Sequence, residues 1–244
     1  MNIVLIIQAR VGSSRLPGKM LMNLAGKPFL YRIIERIKLC SSISKIVIAI
    51  PSSSENDPLE EISKLLNVNC FRGSEDNVLD RFYRAAKKYK ANYVLRFPGD
   101  NFAPEPKEID RLVNFHLQEN INGFSTNICN VFNSGYPDGI GAEMFSFKIL
   151  ENAWKGEKTL EEKEHVHLNF FNYESQKEKN SSCPVKTPIC PKEIRRPELV
   201  LDVNTQEQLD YAQRLYNRLY SEKKAFGIED IISWEEESIR HDNK

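Results

Sequence analysis

The stretch IIQARVGSSRLPGKML, Ile6 to Leu21, constrains this chain more than any other. It leaves a short β-branched apolar run at residues 3–7, which reads as a buried strand. Gly12, Ser13, Ser14 and Gly18 then alternate with Arg10, Arg15 and Lys19. Such a turn can wrap backbone N–H groups around phosphates while its cations neutralise them. Two familiar phosphate loops do not fit. A P-loop has four residues between its glycines and Ser or Thr after its lysine; here five residues separate Gly12 from Gly18, and Met20 follows Lys19. The dinucleotide pattern G-x-G-x-x-G is absent as well. A basic strand-to-helix loop can also be merely solvated. The position after the first strand, the glycines and the spaced cations favour a nucleoside triphosphate site.

The alternation that follows places this loop in an α/β frame. Helical spacing puts Phe29, Ile33, Ile34 and Ile37 on one face of a helix over 29–39, with Arg32, Glu35, Arg36 and Lys38 turned mostly outward. Strands are predicted at 45–50, 68–71 and 93–96. Helices are predicted at 58–66, with Asp57 as cap and Pro58 at its first position, and at 77–90. This order implies a mostly parallel sheet flanked by helices, with ligands at the carboxyl ends of the strands. The loop 8–19 and the segment 98–101 should therefore share one crevice. The second half is less regular: helices at 105–118, 149–154, 160–171, 205–219 and 227–237, strands at 123–127, 142–147 and 199–203, a long hairpin or mobile loop at 173–191, and a frayed tail at 238–244. Thr205 is the expected cap of its helix.

The 244 residues suffice for one domain, read here as a single unit with a mid-chain insertion at about 132–180. Zero formal net charge points to neither nucleic acid nor an anionic membrane as partner. No apolar run approaches a membrane span, and the first residues lack a signal-peptide pattern, so the cytoplasm is expected. Five scattered cysteines without C-x-x-C argue against a disulfide framework or zinc site; Cys183 and Cys190 could bridge, but free thiols are expected. His165 and His167 form an H-x-H pair, read as ordinary core or surface histidines because no third ligand is near in sequence.

Asp100 ends a buried strand directly after Gly99. A triphosphate in the crevice needs a hard divalent cation, Mg²⁺, and an aspartate at a strand end suits it. Asp202 is the candidate second carboxylate, and Asn204 shares its face of a strand. Asp202 and Asn204 can equally serve only to set up the next helix. Arg10, Arg15 and Lys19 would hold the β- and γ-phosphates and stabilise departing pyrophosphate. Asp100, Asp138 and His165 remain alternatives for a general base.

These segments resemble the cytidylyltransferases that make CMP-activated sugar acids, most of all their spore-coat-polysaccharide branch. The first loop is similar to I-x-A-R-x-G-S-x-R-L-P-G-K from Ile7 to Lys19. FRGSEDNVLDR from Phe71, RFPGD from Arg96, YPDG from Tyr136, EMFS from Glu143 and EHV from Glu164 follow in the family's order. The likeness runs from residue 1 to about residue 215. It implies a nucleotide-diphospho-sugar transferase (Rossmann-like) fold, CTP as donor, Mg²⁺ as cofactor and release of pyrophosphate. By position it implies that Arg10 and Lys19 bind triphosphate and that Asp100 binds metal. It further implies that Ala9, Val11, Gly12, Ser13, Arg72, Gly73 and Ser74 surround the nucleotide, and that Arg96, Tyr136, Asp138, Glu143 and His165 serve the sugar acceptor. A homodimer contact would fall in the insertion. The chain departs from the family at Asn204, Gly141 and Asn77, each standing where aspartate is usual. Three activities remain open: CMP transfer to a sugar acid, transfer to a phosphorylated sugar or alcohol giving a CDP-linked product, and nucleotide binding without catalysis.

Overall fold

The structure, a computed structural model, describes residues 1–13, 15–222 and 225–242. Ile3–Gln8 (β1), whose first five residues are buried, is an interior strand of the sheet. After the loop come a two-stranded ribbon, Asn23–Leu24 (β2) and Lys27–Pro28 (β3), and the helix Phe29–Ile37 (α1). Lys45–Pro51 (β4), Asp57–Leu65 (α2), Asn69–Gly73 (β5), Val78–Lys88 (α3) and Tyr93–Pro98 (β6) complete the alternation. β6, β1, β4 and β5 run parallel in that spatial order. The seven-stranded sheet and its flanking helices bear out the expected α/β, mostly parallel Rossmann-like class.

Beyond α4 (Pro106–Gln118), the strands β7 (Phe124–Thr126) and β8 (Glu143–Ser146) extend the sheet, β8 antiparallel both to β6 and to β7. α5 (Phe147–Lys155) and α6 (Leu160–Glu164) follow, then the hairpin β9 (Phe171–Asn172) and β10 (Lys177–Glu178). β11 (Val185–Lys186) closes the far edge beside β7; α7 (Gln206–Glu222) and α8 (Ile228–Asp242) complete the chain. Two apolar layers result. Ile3, Leu5 and Ile7 face α1, α2, α4, α7 and α8, while Val4 and Ile6 face α3, α5 and the insertion. No described helix is long and apolar enough to cross a membrane.

Several expectations are corrected. The helix foreseen over 160–171 stops at Glu164 and continues as a 3-10 turn, Val166–Asn169, before β9. The segment 173–191 is neither one long hairpin nor a loop, since Val185–Lys186 joins the main sheet. The segment 199–203 makes only isolated bridges, Asp138 to Val200 and Asn101 to Asp202. The tail foreseen as frayed is helical to Asp242, and residues 243–244 lie outside the described part. α2 begins at Asp57 behind Asn56, whose side chain is engaged elsewhere. All five cysteines are free thiols.

Arg32 and Arg36 are buried rather than turned outward. Arg32 donates from Nε to the Leu24 carbonyl (3.1 Å) and lies 4.0 Å from the Tyr220 ring centre. Arg36 donates to the carbonyls of Pro104 and Phe226, both at 2.9 Å, and sits 3.9 Å from Glu105. It thereby fastens α1 to the turns preceding α4 and α8. Helical periodicity cannot reveal such arginines, because their partners are backbone carbonyls remote in sequence. Arg36→Ala should cost about 3 kcal/mol by leaving those groups buried and unpaired. Arg84→Ala, which removes an exposed i,i+4 pair with Asp80, should cost less than about 1 kcal/mol. Urea denaturation of both variants checks the contrast, and equal losses would refute it.

Candidate active site

The carboxyl ends of β1 and β6 open into one cleft lined by Gln8, Ala9, Arg10, Ser13, Arg15, Lys19, Met20, Arg96, Pro98, Gly99, Asp100, Glu164, His165 and Asn204. The loop after β1 and the segment after β6 meet there, as the strand order requires. The two strand ends approach so closely that a Cβ on Gly99 would lie 2.2 Å from the Gln8 carbonyl oxygen. Gly18 holds φ +73°, a left-handed turn that glycine adopts without strain. Its N–H donates to the Val11 carbonyl at 2.9 Å and folds the loop back. The Val11 N–H donates to Asn56 Oδ1 at 2.9 Å, so Asn56 anchors the loop from outside. Nothing in the sequence marked Asn56 for this task.

Lys19 is buried, and its Nζ donates to the Val203 carbonyl. Burial pulls its pKa below the usual lysine value, opposed by the charges of Asp100 and Asp202. The 199–204 segment is fixed against the end of β6, with Val203 N–H donating to the Asp100 carbonyl and Phe102 N–H to that of Leu201 (2.9 and 3.1 Å). Asp202 accepts from Asn204 Nδ2 (2.6 Å) and Gln208 Nε2 (3.1 Å). Asn204 Oδ1 accepts from Arg15 at 2.8 Å. Burial first, then Asp100, raises the Asp202 pKa. Burial, Asp202 and Asp100 push Asp138 up to about 6. Asp100, Asp138 and Asp202 thus lie near enough to act on one another beside a buried lysine, an acidic wall that meets the cleft at Asp100.

The opposite wall comes from β6 and the insertion. Arg10 reaches Glu164 across the mouth, a half-exposed ion pair at 3.3 Å. His165 stands beside Glu164 in the lining. Arg96 is buried and donates from Nη1 to Glu143 (2.7 Å), a carboxylate that also accepts from Tyr173 (2.8 Å).

Not every expected residue lies at the cleft. Tyr136 is wholly buried, and its hydroxyl donates to Glu108 at 2.9 Å; it is a core residue without access to a substrate. Glu143 is also fully buried and can act only through Arg96. Arg72 turns to α2, pairing with Asp57 and Glu60 at 2.7 and 2.6 Å. Its cations' opposite charges lie one helix away, where the family likeness gave no hint of them. Gly73 and Ser74 end the neighbouring strand and, like Val11, Gly12, Asp138 and Asp202, are not among the lining residues. Gln8 and Glu164 line the cleft without having been singled out. The signal for Gln8 was there: it is the polar residue that ends an otherwise apolar strand.

A profile of the cytidylyltransferase family matches residues 4–231. The chain belongs to that family. It is 29% identical over 222 residues to the spore coat polysaccharide biosynthesis protein SpsF of Bacillus subtilis, covering 89% of this chain and 87% of that one. It is 25% identical over 173 residues to an 8-amino-3,8-dideoxy-manno-octulosonate cytidylyltransferase of Shewanella piezotolerans, covering 70% of this chain and only 62% of that enzyme. Among solved structures, a cytidylyltransferase from Leptospira borgpetersenii superposes with a TM-score of 0.83 at 26% identity, covering 98% of this chain and 96% of the other.

The acidic wall should show in the pH dependence of stability. The Asp138 carboxyl rises from 3.8 to about 6 on folding, so the native state binds its proton more tightly. That contribution is complete below pH 3.8 and is lost as pH rises through about 6. Asp138→Asn should therefore raise the stability of ligand-free protein at pH 8, by on the order of 1–2 kcal/mol, and leave it nearly unchanged below pH 4. Thermal melts across this range decide it; a loss of stability at pH 8 would refute the crowding.

Proposed function

We propose that this chain transfers CMP from CTP to a hydroxyl of a sugar acid of the ulosonate or nonulosonate type, releasing pyrophosphate, in the synthesis of a surface glycan. The observation that carries this reading is the convergence of Arg10, Arg15, Lys19 and Asp100 on one cleft at the strand ends. Among the described residues, Arg10 pairs with Glu164 and Arg15 with Asn204 at the surface, contacts that phosphate oxygens can replace. Family membership and the likeness to SpsF and to an octulosonate cytidylyltransferase support the choice of nucleotide and acceptor.

The acidic wall fits a divalent cation. Burial and the neighbouring Asp100 raise the cost of ionising Asp202, and Lys19 offsets only part of it. Among the described residues no three His, Cys, Asp or Glu side chains form a metal site by themselves. Mg²⁺ takes one or two carboxylates and completes its shell with phosphate and water. Asp100 and Asp202 would hold it, with Asn204 orienting Asp202; bound with the triphosphate, it supplies charge neutralisation at the pyrophosphate. Arg10, Arg15 and Lys19 orient the β- and γ-phosphates so that the acceptor oxygen attacks the α-phosphorus in line, and they stabilise the leaving group. Of the three candidate bases, Asp100 and His165 line the cleft and would take the acceptor's proton, whereas Asp138 lies outside the lining. A cytoplasmic homodimer contacting through residues 132–180 completes the reading, with no role for nucleic acid or membrane.

Pyrophosphate release from CTP and Mg²⁺ with a panel of sugar acids and sugar phosphates tests the proposal. Turnover with a sugar acid is expected. Turnover only with phosphorylated acceptors selects the CDP-forming alternative, and CTP binding without turnover a non-catalytic role. Lys19→Ala should lower turnover by about 10²–10³-fold, the scale of losing one oxyanion donor. Unchanged turnover would remove Lys19 from the site.

A further inference from the structure

The wall formed by β6 and the insertion carries unmet hydrogen-bonding capacity that the nucleotide cations do not explain. Arg96 makes one hydrogen bond, through Nη1, to Glu143. Its Nε is buried with no partner. The Nε–Nη2 edge of a guanidinium is the planar fork that matches a carboxylate in bidentate geometry. Gln8 projects from the same face of the adjacent strand, with a buried Oε1 that also lacks a partner. Both residues line the cleft, and His165 stands in the same lining. Buried polar groups left unpaired are costly, so an unpaired donor and an unpaired acceptor in one wall mark a place where a ligand completes the hydrogen bonding, an oxyanion meeting the arginine and a hydroxyl the amide oxygen.

We propose that the free edge of Arg96 receives the carboxylate of the acceptor, and that Glu143 and Tyr173 are positioning residues that aim it. This rests on the cytidylyl-transfer reading and specifies its substrate as a monoanionic acid. Three features favour that occupant. Arg96 is already paired with Glu143, so the wall is close to neutral and tolerates one added negative charge better than the two of a phosphate monoester. The cations suited to CTP come from the loop after β1, whereas Arg96 comes from β6. Tyr173, between β9 and β10, donates to Glu143 at 2.8 Å and also contacts Thr126 at 3.1 Å, which ties the aim of Arg96 to the insertion. An oxyanion at this edge could be the acceptor's carboxylate or a nucleotide phosphate, and the experiment separates them.

The test compares wild type, Arg96→Lys, and the double variant Arg96→Gln with Glu143→Gln, which leaves a neutral hydrogen-bonded pair in place of a lone buried carboxylate. Calorimetry gives the CTP affinity of each, and pyrophosphate release gives KM and kcat for 3-deoxy-manno-octulosonate and N-acetylneuraminate. Far-ultraviolet circular dichroism and melting confirm folding. Both variants should bind CTP within about threefold of wild type while KM for the acid rises about 10–100-fold, the scale of losing a charge-assisted bidentate contact. Tyr173→Phe should give a smaller rise in KM without change in CTP affinity. A fall in CTP affinity with an unchanged acceptor KM would place a phosphate on Arg96 and overturn the proposal. So would an unchanged KM and CTP affinity, which would leave the arginine purely structural. Wild-type turnover with sugar phosphates but no acid would overturn this inference together with the sugar-acid acceptor and leave cytidylyl transfer standing; CTP binding without turnover on any acceptor would overturn the transfer reading beneath both.

Discussion

The buried ammonium of Lys19 is the point on which the site's geometry depends. It donates to the carbonyl of Val203, and the neighbouring backbone of that segment is tied to the end of β6 through Asp100 and Phe102. One side chain from the first loop thus meets two elements separated from it by most of the sequence. Burial opposes its charge, and Asp100 and Asp202 sustain it. Lys19 in turn eases the ionisation of Asp202, while burial, Asp202 and Asp100 push Asp138 up. Folding the loop, closing the acidic wall and presenting cations to the cleft are consequences of one electrostatic arrangement.

The sheet makes that arrangement possible without strain. Parallel strands deliver β1 and β6 to the same edge, and Gly99 allows their ends to touch. The antiparallel addition of β8 then sets Glu143 directly opposite Arg96 in register. The cleft therefore has two walls of different origin. The loop after β1 carries cations with replaceable surface partners, as a polyanion requires. The β6 and insertion wall carries a buried, already compensated arginine, better suited to select than to attract.

The first half of the fold was legible because its apolar runs are short, β-branched and separated by amphipathic helices. The cleft was legible because parallel topology fixes where strand-end loops meet. Asn77 shows the reach of local chemistry: it stands where aspartate is usual, and its Oδ1 still caps α3 by accepting from the Asp80 N–H at 2.9 Å. Tyr136 shows the limit. Its polar turn motif suggested contact with substrate, but the ring fills the core and the hydroxyl finds Glu108, a partner 28 residues away that no spacing rule connects to it. Arg32, Arg36 and Arg72 failed for the same reason, since each meets groups set by tertiary packing. In 160–200 the elements are short, and the pairing of β11 with β7 depends on neighbours rather than propensity.

The central claim is that the loop after β1 and the aspartate after β6 together grip a cytidine triphosphate. Titration calorimetry with CTP and Mg²⁺ on wild type, Lys19→Ala and Asp100→Asn measures it most directly. Saturable one-to-one binding is expected in wild type, weakened at least about tenfold by Lys19→Ala, a loss of roughly 1.4 kcal/mol or more. Asp100→Asn should abolish the dependence of that binding on Mg²⁺. Absence of heat in wild type, or equal CTP affinity in all three folded proteins, would contradict the account.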